Sequence, residues 1–499
     1  MKNRCDALSI PLENPRIVVH LTDTYFLKES KIGEKVDLPG FGRIHKILEL
    51  VTKNFKNENI LFLHSGDFLF PSFLSNFYKG KQMIDVLNLC KLDYCTLGNH
   101  DFDGGSEILQ KRIQESKFKY VITNLIPPKK FSKKILEFDV WPKKSPNIGI
   151  IGISGKMTSD KAIENGFKST NQIKTLKKTL LEICKRYPQV KLLIVLSHMG
   201  NAEDFQLKKT ISSFWPHHSI ILGGHDHNQI ISYFPKSDKC MLVKGKSNGR
   251  TLQVLMLDEK TINQEKPNLQ KKLVILSSKD FQKFNTSKEM ELKINSWYNK
   301  LKKQNKLPSN KTIKKFPKNV ILDATEISLR KGTTNFGNFV TDCLKKYTNS
   351  DIALINSGHF RSDRLFIEKL TNFDLHTTFV LEEKRNIIVT ELTKKECMLF
   401  LKHAYSQEGK GKILQISKNT LEILRNTKSN QKLKVSFISD MIYTEDDGFG
   451  NILAKNRKIS IVKLRKQLKK DILENTNLIE CIVKIAKKVN YDSKIRMSV

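Results

Sequence analysis

Six short apolar runs, five of them closing on a polar cluster, constrain this chain more than any other feature. They are RIVVHLTD, NILFLHSGD, DYCTLGNHD, NIGIIGISG, KLLIVLSHMG and HSIILGGHDHN. Each reads as a buried strand. Segments of helical spacing lie among them: HKILELVTKNF, GSEILQKRIQES, and GKQMIDVLNLCK, where Met83, Ile84, Leu87 and Cys90 share a face. Strands alternating with helices predict an α/β layered domain, which carries its sites at strand C-termini.

The polar clusters TDTY, SGDF, GNHDFD, SHMG and GGHDHN fall at those ends and together supply Asp23, Asp67, Asn99, His198, His225 and His227. Carboxylates with imidazoles suit Zn, Mn or Fe. An Asp shared by two ions about 4 Å apart makes a clamp for in-line displacement at phosphorus. A lone His on an apolar strand is usually a satisfied core residue. Two of them one residue apart, after Ile-Leu-Gly-Gly, are not accounted for that way.

At 499 residues the chain is long enough for two or three domains. No apolar run approaches the ~20 residues that span a bilayer. The N-terminal stretch shows no apolar leader with a cleavage site, so the expected location is cytoplasmic. Eight scattered cysteines form no C-x-x-C pair, which speaks against zinc-finger and thioredoxin chemistry. Lys plus Arg exceed Asp plus Glu by 87 − 51 = 36. The excess is mostly Lys, spread along the chain, without interleaved aromatic platforms for bases. It reads as compositional bias, and no specific nucleic-acid partner is expected.

Past residue 258 the pattern loosens. A helix is expected over SKEMELKINSWYNKLKK, followed by the Lys-rich KKQNKLPSNKTIKKFPKN. The expected organisation is a first domain over residues 1–262, a linker with a helix over 263–318, and a second domain over 319–499.

The order D-x-Y, GD, GNHD, H and GHDH resembles the calcineurin-like metallophosphoesterases. The phrases SGDFLFPSFLSNFYKGKQMIDVLN and LGNHDFDGG resemble the 5′-nucleotidases among them. NFGNFVTDCL, ALINSGHFR and EDDGFG resemble that family's C-terminal substrate domain. The resemblance implies a four-layer αββα sandwich followed by a smaller α+β domain. It implies two divalent ions (Zn, Mn, Fe, Co or Mg), with Asp67 bridging. Asp23 and His227 would hold one ion; Asn99, His198 and His225 would hold the other. His100 would serve the reacting phosphate, oriented by Asp103. Arg330, Arg361, Asn356, Asp447 and Phe449 would grip the substrate, the Phe by stacking on a base.

The chain departs from the family in three places. Tyr25 stands where most members have a His ligand, and a phenol with a pKa near 10 is a poor neutral ligand. Glu383 stands about where a second stacking Phe is usual, and His359 where Gly is usual. The expected activity is metal-dependent hydrolysis of phosphomonoesters, chiefly nucleoside 5′-monophosphates. One rival keeps the chemistry but acts on a sugar phosphate, a dinucleotide pyrophosphate or a cyclic nucleotide. The other is an inactive basic protein that binds nucleic acid or acidic lipid.

Overall fold

The computed structural model describes residues 15–490, apart from 33, 57–58, 132–133, 235–236, 265–266, 318, 381–385, 407–410, 445–447 and 475. Two compact units divide the chain, residues 1–300 and 301–499.

The first unit is built on two sheets. Their strands are β1 (Pro15–Leu21), β2 (Ile60–His64), β3 (Tyr94–Cys95), β4 (Lys119–Val121), β5 (Ile135–Leu136), β6 (Phe138–Trp141), β7 (Ile148–Ser154), β8 (Leu192–His198), β9 (His218–Gly223), β10 (Ile230–Ser232), β11 (Cys240–Lys244), β12 (Thr251–Asp258) and β13 (Leu273–Ser277). One sheet has the order β13-β12-β1-β2-β3-β4-β5 and the other β10-β11-β9-β8-β7-β6. The strands β1, β2 and β3 run parallel, as do β7, β8 and β9. Helices α1 (Gly40–Asn54) and α2 (Lys81–Leu89) are the crossovers of the first set. Alternate residues of the two sheets meet in one core: Val18, Leu61 and Leu63 with Ile150, Ile194, Leu196 and Ile220. The opposite face of the second sheet, including Ile151, Leu193, Val195 and Ile221, packs with residues of α3 (Gln172–Arg186) and α4 (Asn201–Phe214). Burial on both faces explains why these runs are apolar throughout instead of alternating.

The stretch expected to be a linker is largely part of this unit. Residues 273–277 pair antiparallel with β12 and extend the first sheet. The expected helix is present as α5 (Lys288–Lys303). It is anchored where the Ser287 amide donates to the Gly42 carbonyl at 2.9 Å and the Tyr78 hydroxyl to the Trp297 carbonyl at 3.2 Å.

The second unit contains α6 (Asn335–Thr348), β14 (Ile352–Asn356), β15 (Ile387–Thr393), α7 (Lys394–Tyr405), β16 (Leu414–Ile416), β17 (Lys432–Ile438) and β18 (Ile472–Leu473). Its five-stranded sheet has the order β16-β14-β17-β15-β18 and is mixed, with β14 and β17 parallel and the other pairings antiparallel.

Candidate metal centre

The donors expected from the sequence hang on the C-terminal ends of parallel strands, drawn from both sheets. The first sheet contributes Asp23 after β1, Asp67 after β2 and Asn99 after β3. The second contributes His198, the last residue of β8, and His225 and His227 after β9. Sharp turns re-aim the chain at these positions. Asp23, Asp67, His225 and His227 have φ of 50°, 59°, 81° and 61°. That left-handed region costs an ordinary residue roughly 1–2 kcal/mol, a strain retained where surrounding structure enforces it. Gly98 must be glycine for a different reason: a Cβ there would lie 2.1 Å from Asp67 Oδ1 and 2.6 Å from His198 Cε1.

Asp23, Asp67 and His198 are buried, and each places a ligand atom within 4.8 Å of the others. The His198 Nδ1–H donates to the Ser65 carbonyl at 2.7 Å, which turns Nε2 toward Asp67. That nitrogen lies 3.2 Å from Asp67 Oδ2, buried, with no hydrogen-bond partner. A lone pair facing a carboxylate is repulsive unless a cation or a proton lies between them. Burial opposes a charged His198, but the Asp67 carboxylate outweighs it and raises the imidazole's proton affinity. The site thus favours positive charge between these groups, and these donors could hold a metal ion.

Nearby, His227 Nε2 lies 3.2 Å from Asp23 Oδ1. Burial alone would raise the Asp23 pKa, yet His227 holds the carboxyl well below the usual carboxylate range. The His225 amide donates to both Asp23 oxygens, at 3.2 and 3.0 Å. The His225 ring stands 3.0 Å from Asn99 Oδ1, held neutral by burial and by nearby His198. Neutral imidazole is the metal-binding form. The Tyr25 hydroxyl is buried among these groups, 3.2 Å from Asp67 Oδ2, 3.2 Å from His227 Nε2 and 3.5 Å from Asp23 Oδ1. Asp67 Oδ2 thus lies 3.2 Å from both His198 Nε2 and the Tyr25 hydroxyl.

His100 is aligned by two bonds. Its amide donates to Asp67 Oδ1 at 2.8 Å, and its Nδ1 lies 2.7 Å from Asp103 Oδ2. That pairing fixes the tautomer and leaves Nε2 to exchange protons. Both side chains keep partial exposure, 24% and 32%.

Sequence reasoning passed over Asp101. Its carboxylate accepts four backbone amides: Asp67 at 2.8 Å, Gly98 at 2.9 Å, Leu69 at 2.9 Å and Phe68 at 3.0 Å. It ties the loop after β3 to the loop after β2. Two buried histidines also went unread. Burial lowers the pKa of His20 to about 4 and that of His64 to about 3, so both are neutral. His20 Nε2 pairs with Ser65 Oγ at 2.8 Å and His64 Nε2 with Thr24 Oγ1 at 2.9 Å, which braces two ligand loops from below.

In the second unit, Asn356 is buried at the end of β14. The Arg361 amide donates to the Thr378 carbonyl at 2.9 Å. Arg330 forms an ion pair with Glu326. Gln415 braces the loop after Arg330, accepting the Thr334 amide at 2.8 Å and donating to the Gly332 carbonyl at 3.0 Å. Phe449 corrects the expectation. Its ring is fully buried in a hydrophobic cluster, edge-to-face with Phe400 at 5.3 Å and His403 at 5.0 Å. An aromatic with no exposed face cannot stack on a base. Asp447 and Glu383 lie outside the described residues.

Residues 17–229 match the family described as calcineurin-like phosphoesterase, and residues 312–456 match the 5′-nucleotidase C-terminal domain. The NAD 5′-nucleotidase of Haemophilus influenzae is 26% identical over 197 residues, 39% of this chain and 31% of the relative. The chain thus spans under a third of that relative's length. A snake venom 5′-nucleotidase from Crotalus adamanteus is 22% identical over 467 residues, 83% of this chain and 74% of the relative. The crystal structure of a 5′-nucleotidase precursor from Thermus thermophilus superposes with a TM-score of 0.71 at 17% identity, covering 96% of this chain and 98% of that one. A sulfate thiohydrolase shares the fold at a TM-score of 0.62 and 12% identity, over 92% of this chain and 95% of that one. Fold alone therefore leaves the substrate open.

Proposed function

Because the chain belongs to the calcineurin-like phosphoesterases and carries their 5′-nucleotidase C-terminal domain, we propose that it hydrolyses phosphomonoesters, chiefly nucleoside 5′-monophosphates, with two divalent ions. The observation that carries this reading is the buried Asp67 carboxylate, 3.2 Å from both His198 Nε2 and the Tyr25 hydroxyl, with His227 Nε2 3.2 Å from Asp23 Oδ1.

Asp67 would bridge. Asn99, His198 and His225 would hold one ion; Asp23, His227 and Tyr25 would hold the other. Donor atoms bonded to one ion at about 2.0–2.2 Å stand roughly 3 Å apart. Tyr25 Oη keeps distances of 3.2–3.5 Å from three such donors, within reach either of the ion as phenolate or of a hydrogen bond to a ligand or bound water as phenol. The ions, when bound, supply Lewis acidity toward a phosphoryl oxygen and acidify water. The chain's own residues do the rest. The His100 Nε2–H would give a proton to the departing ester oxygen, while Asp103 would keep Nδ1 protonated and the ring in register. Asp101 holds the two loops so that His100 and Asp67 stay aligned.

One observation favours a second reading of the substrate. With Phe449 in the core, a stacking face expected for the base is missing, so a sugar phosphate gripped through phosphate alone fits as well. A screen of nucleoside monophosphates and sugar phosphates, run with Mn²⁺-loaded protein, separates the two. His100→Ala should bind metal normally and slow turnover of whichever substrate is used by roughly 10²–10⁴-fold. Unchanged turnover in this variant, or no phosphatase activity in the loaded wild type, would refute the proposal.

A further inference from the structure

Lys244 is completely buried at the end of β11. A buried ammonium is costly unless its donors are paired. Here all three have acceptors: Asp204 Oδ2 at 2.7 Å, the Met199 carbonyl at 2.8 Å and Asp226 Oδ2 at 3.1 Å. Asp204, itself fully buried on α4, also accepts the Ser197 hydroxyl. Gly223 leaves the space; a Cβ there would lie 3.1 Å from Lys244 Cγ and 3.3 Å from Asp204 Oδ2.

The acceptors have telling addresses. Met199 follows His198, and Asp226 sits between His225 and His227. One side chain therefore grips both second-sheet loops that carry imidazole donors, and Asp204 fixes that side chain from α4. An apolar core residue would fill the space without desolvating an ion pair. Joining two loops by directed bonds is what the lysine adds. We infer that Lys244, through Asp226 and the Met199 carbonyl, is a positioning residue that sets the metal affinity of the His198, His225 and His227 loops. The inference rests on the two-ion reading of the site.

The test is calorimetric titration of chelator-stripped full-length protein with Mn²⁺ alone, alongside thermal unfolding of the same metal-free samples. The Asp226 side chain is 32% exposed, so its removal spares the core. Asp226→Ala, which unpairs one Lys244 donor, should lower metal-free stability only modestly, far less than Lys244→Met does, and weaken Mn²⁺ binding about 10–100-fold, the usual cost of losing a group that orients a ligand. Asp226→Asn, which keeps an acceptor for the ammonium, should retain most of the affinity. Lys244→Met should lose both stability and affinity, because Asp204 is left buried without its partner. Adding Asp204→Asn should restore stability but not affinity. Wild-type affinity in Asp226→Ala, equal losses in the Ala and Asn variants, or affinity regained together with stability in the double variant would each reduce Lys244 to a core ion pair. Failure of the wild type to bind Mn²⁺ would sink the metal reading itself, a distinct outcome.

Discussion

Carboxylates in the first unit divide by environment. Asp23 and Asp67 sit beside imidazoles and stay ionised, whereas Asp93 has a carboxyl under burial with only the Phe62 amide, at 2.8 Å, to offset it. Burial lifts the Asp93 pKa to about 6. The unfolded value is about 3.9, so the folded state favours the protonated form. Its contribution to stability is complete below about pH 4 and is lost as pH rises through about 6. Asp93→Asn keeps an acceptor for Phe62 and removes the charge. Urea unfolding should show a gain of about 1 kcal/mol at pH 4.5 and of about 3 kcal/mol at pH 7.5; equal gains at both pH values would deny the burial penalty. At this scale the convergence of Asp23, Asp67 and His198 was legible because strand ends are where layered α/β domains concentrate polar chemistry. Asp101 was not, since an Asp in a metal-type loop reads as a ligand or a turn residue. Four converging amides are visible only once two loops are folded together.

Among elements, the stretch leading into Phe449 misled most. A D-D-G-F sequence announces a turn but not where the ring points, and here it points into the cluster with Phe400 and Leu453. Phe449→Ala should cost about 3–5 kcal/mol of stability in the second unit. Total activity should then fall equally for a nucleotide and for a small chromogenic phosphate ester, and activity per folded molecule should hold for both. A loss confined to the nucleotide would restore the stacking role. The missed strand β13 has a plainer cause: KKLVILSS is a short apolar run framed by lysines, and its neighbourhood lacked the helical partner that marked the other strands. A fragment ending at residue 262 leaves the β12 edge unpaired, and unpaired edges invite aggregation. One ending at residue 300 keeps β13 and nearly all of α5. Size-exclusion chromatography should find the longer fragment monodisperse and the shorter one aggregated; the reverse would place the domain boundary where the sequence pattern loosens.

For the whole molecule, the net charge of +36 has a use that needs no nucleic-acid partner. A basic protein raises the local concentration of anionic small molecules, and salt screens the effect over a Debye length of about 8–10 Å. The kcat/KM for a phosphomonoester should fall severalfold between 20 and 500 mM KCl, roughly the span over which the screening length shrinks most, with kcat nearly constant. A flat profile would leave the charge as composition without consequence. Among the described residues no helix is long and apolar enough to cross a membrane. Cys90, Cys95, Cys184, Cys240, Cys343 and Cys397 form no disulfide.

The register of β1 has a bearing on how the protein is made. This strand leaves the ribosome before the other described strands of its unit, yet one of its two neighbours, β12, pairs Pro15 with Asp258. At about 5–20 residues per second, β1 waits roughly 12–50 s for that partner. Its other neighbour, β2, arrives early and brings Asp67, but the imidazoles of β8 and β9 come late. The nascent chain therefore holds carboxylates long before it holds the histidines, and the metal centre closes only when the sandwich does.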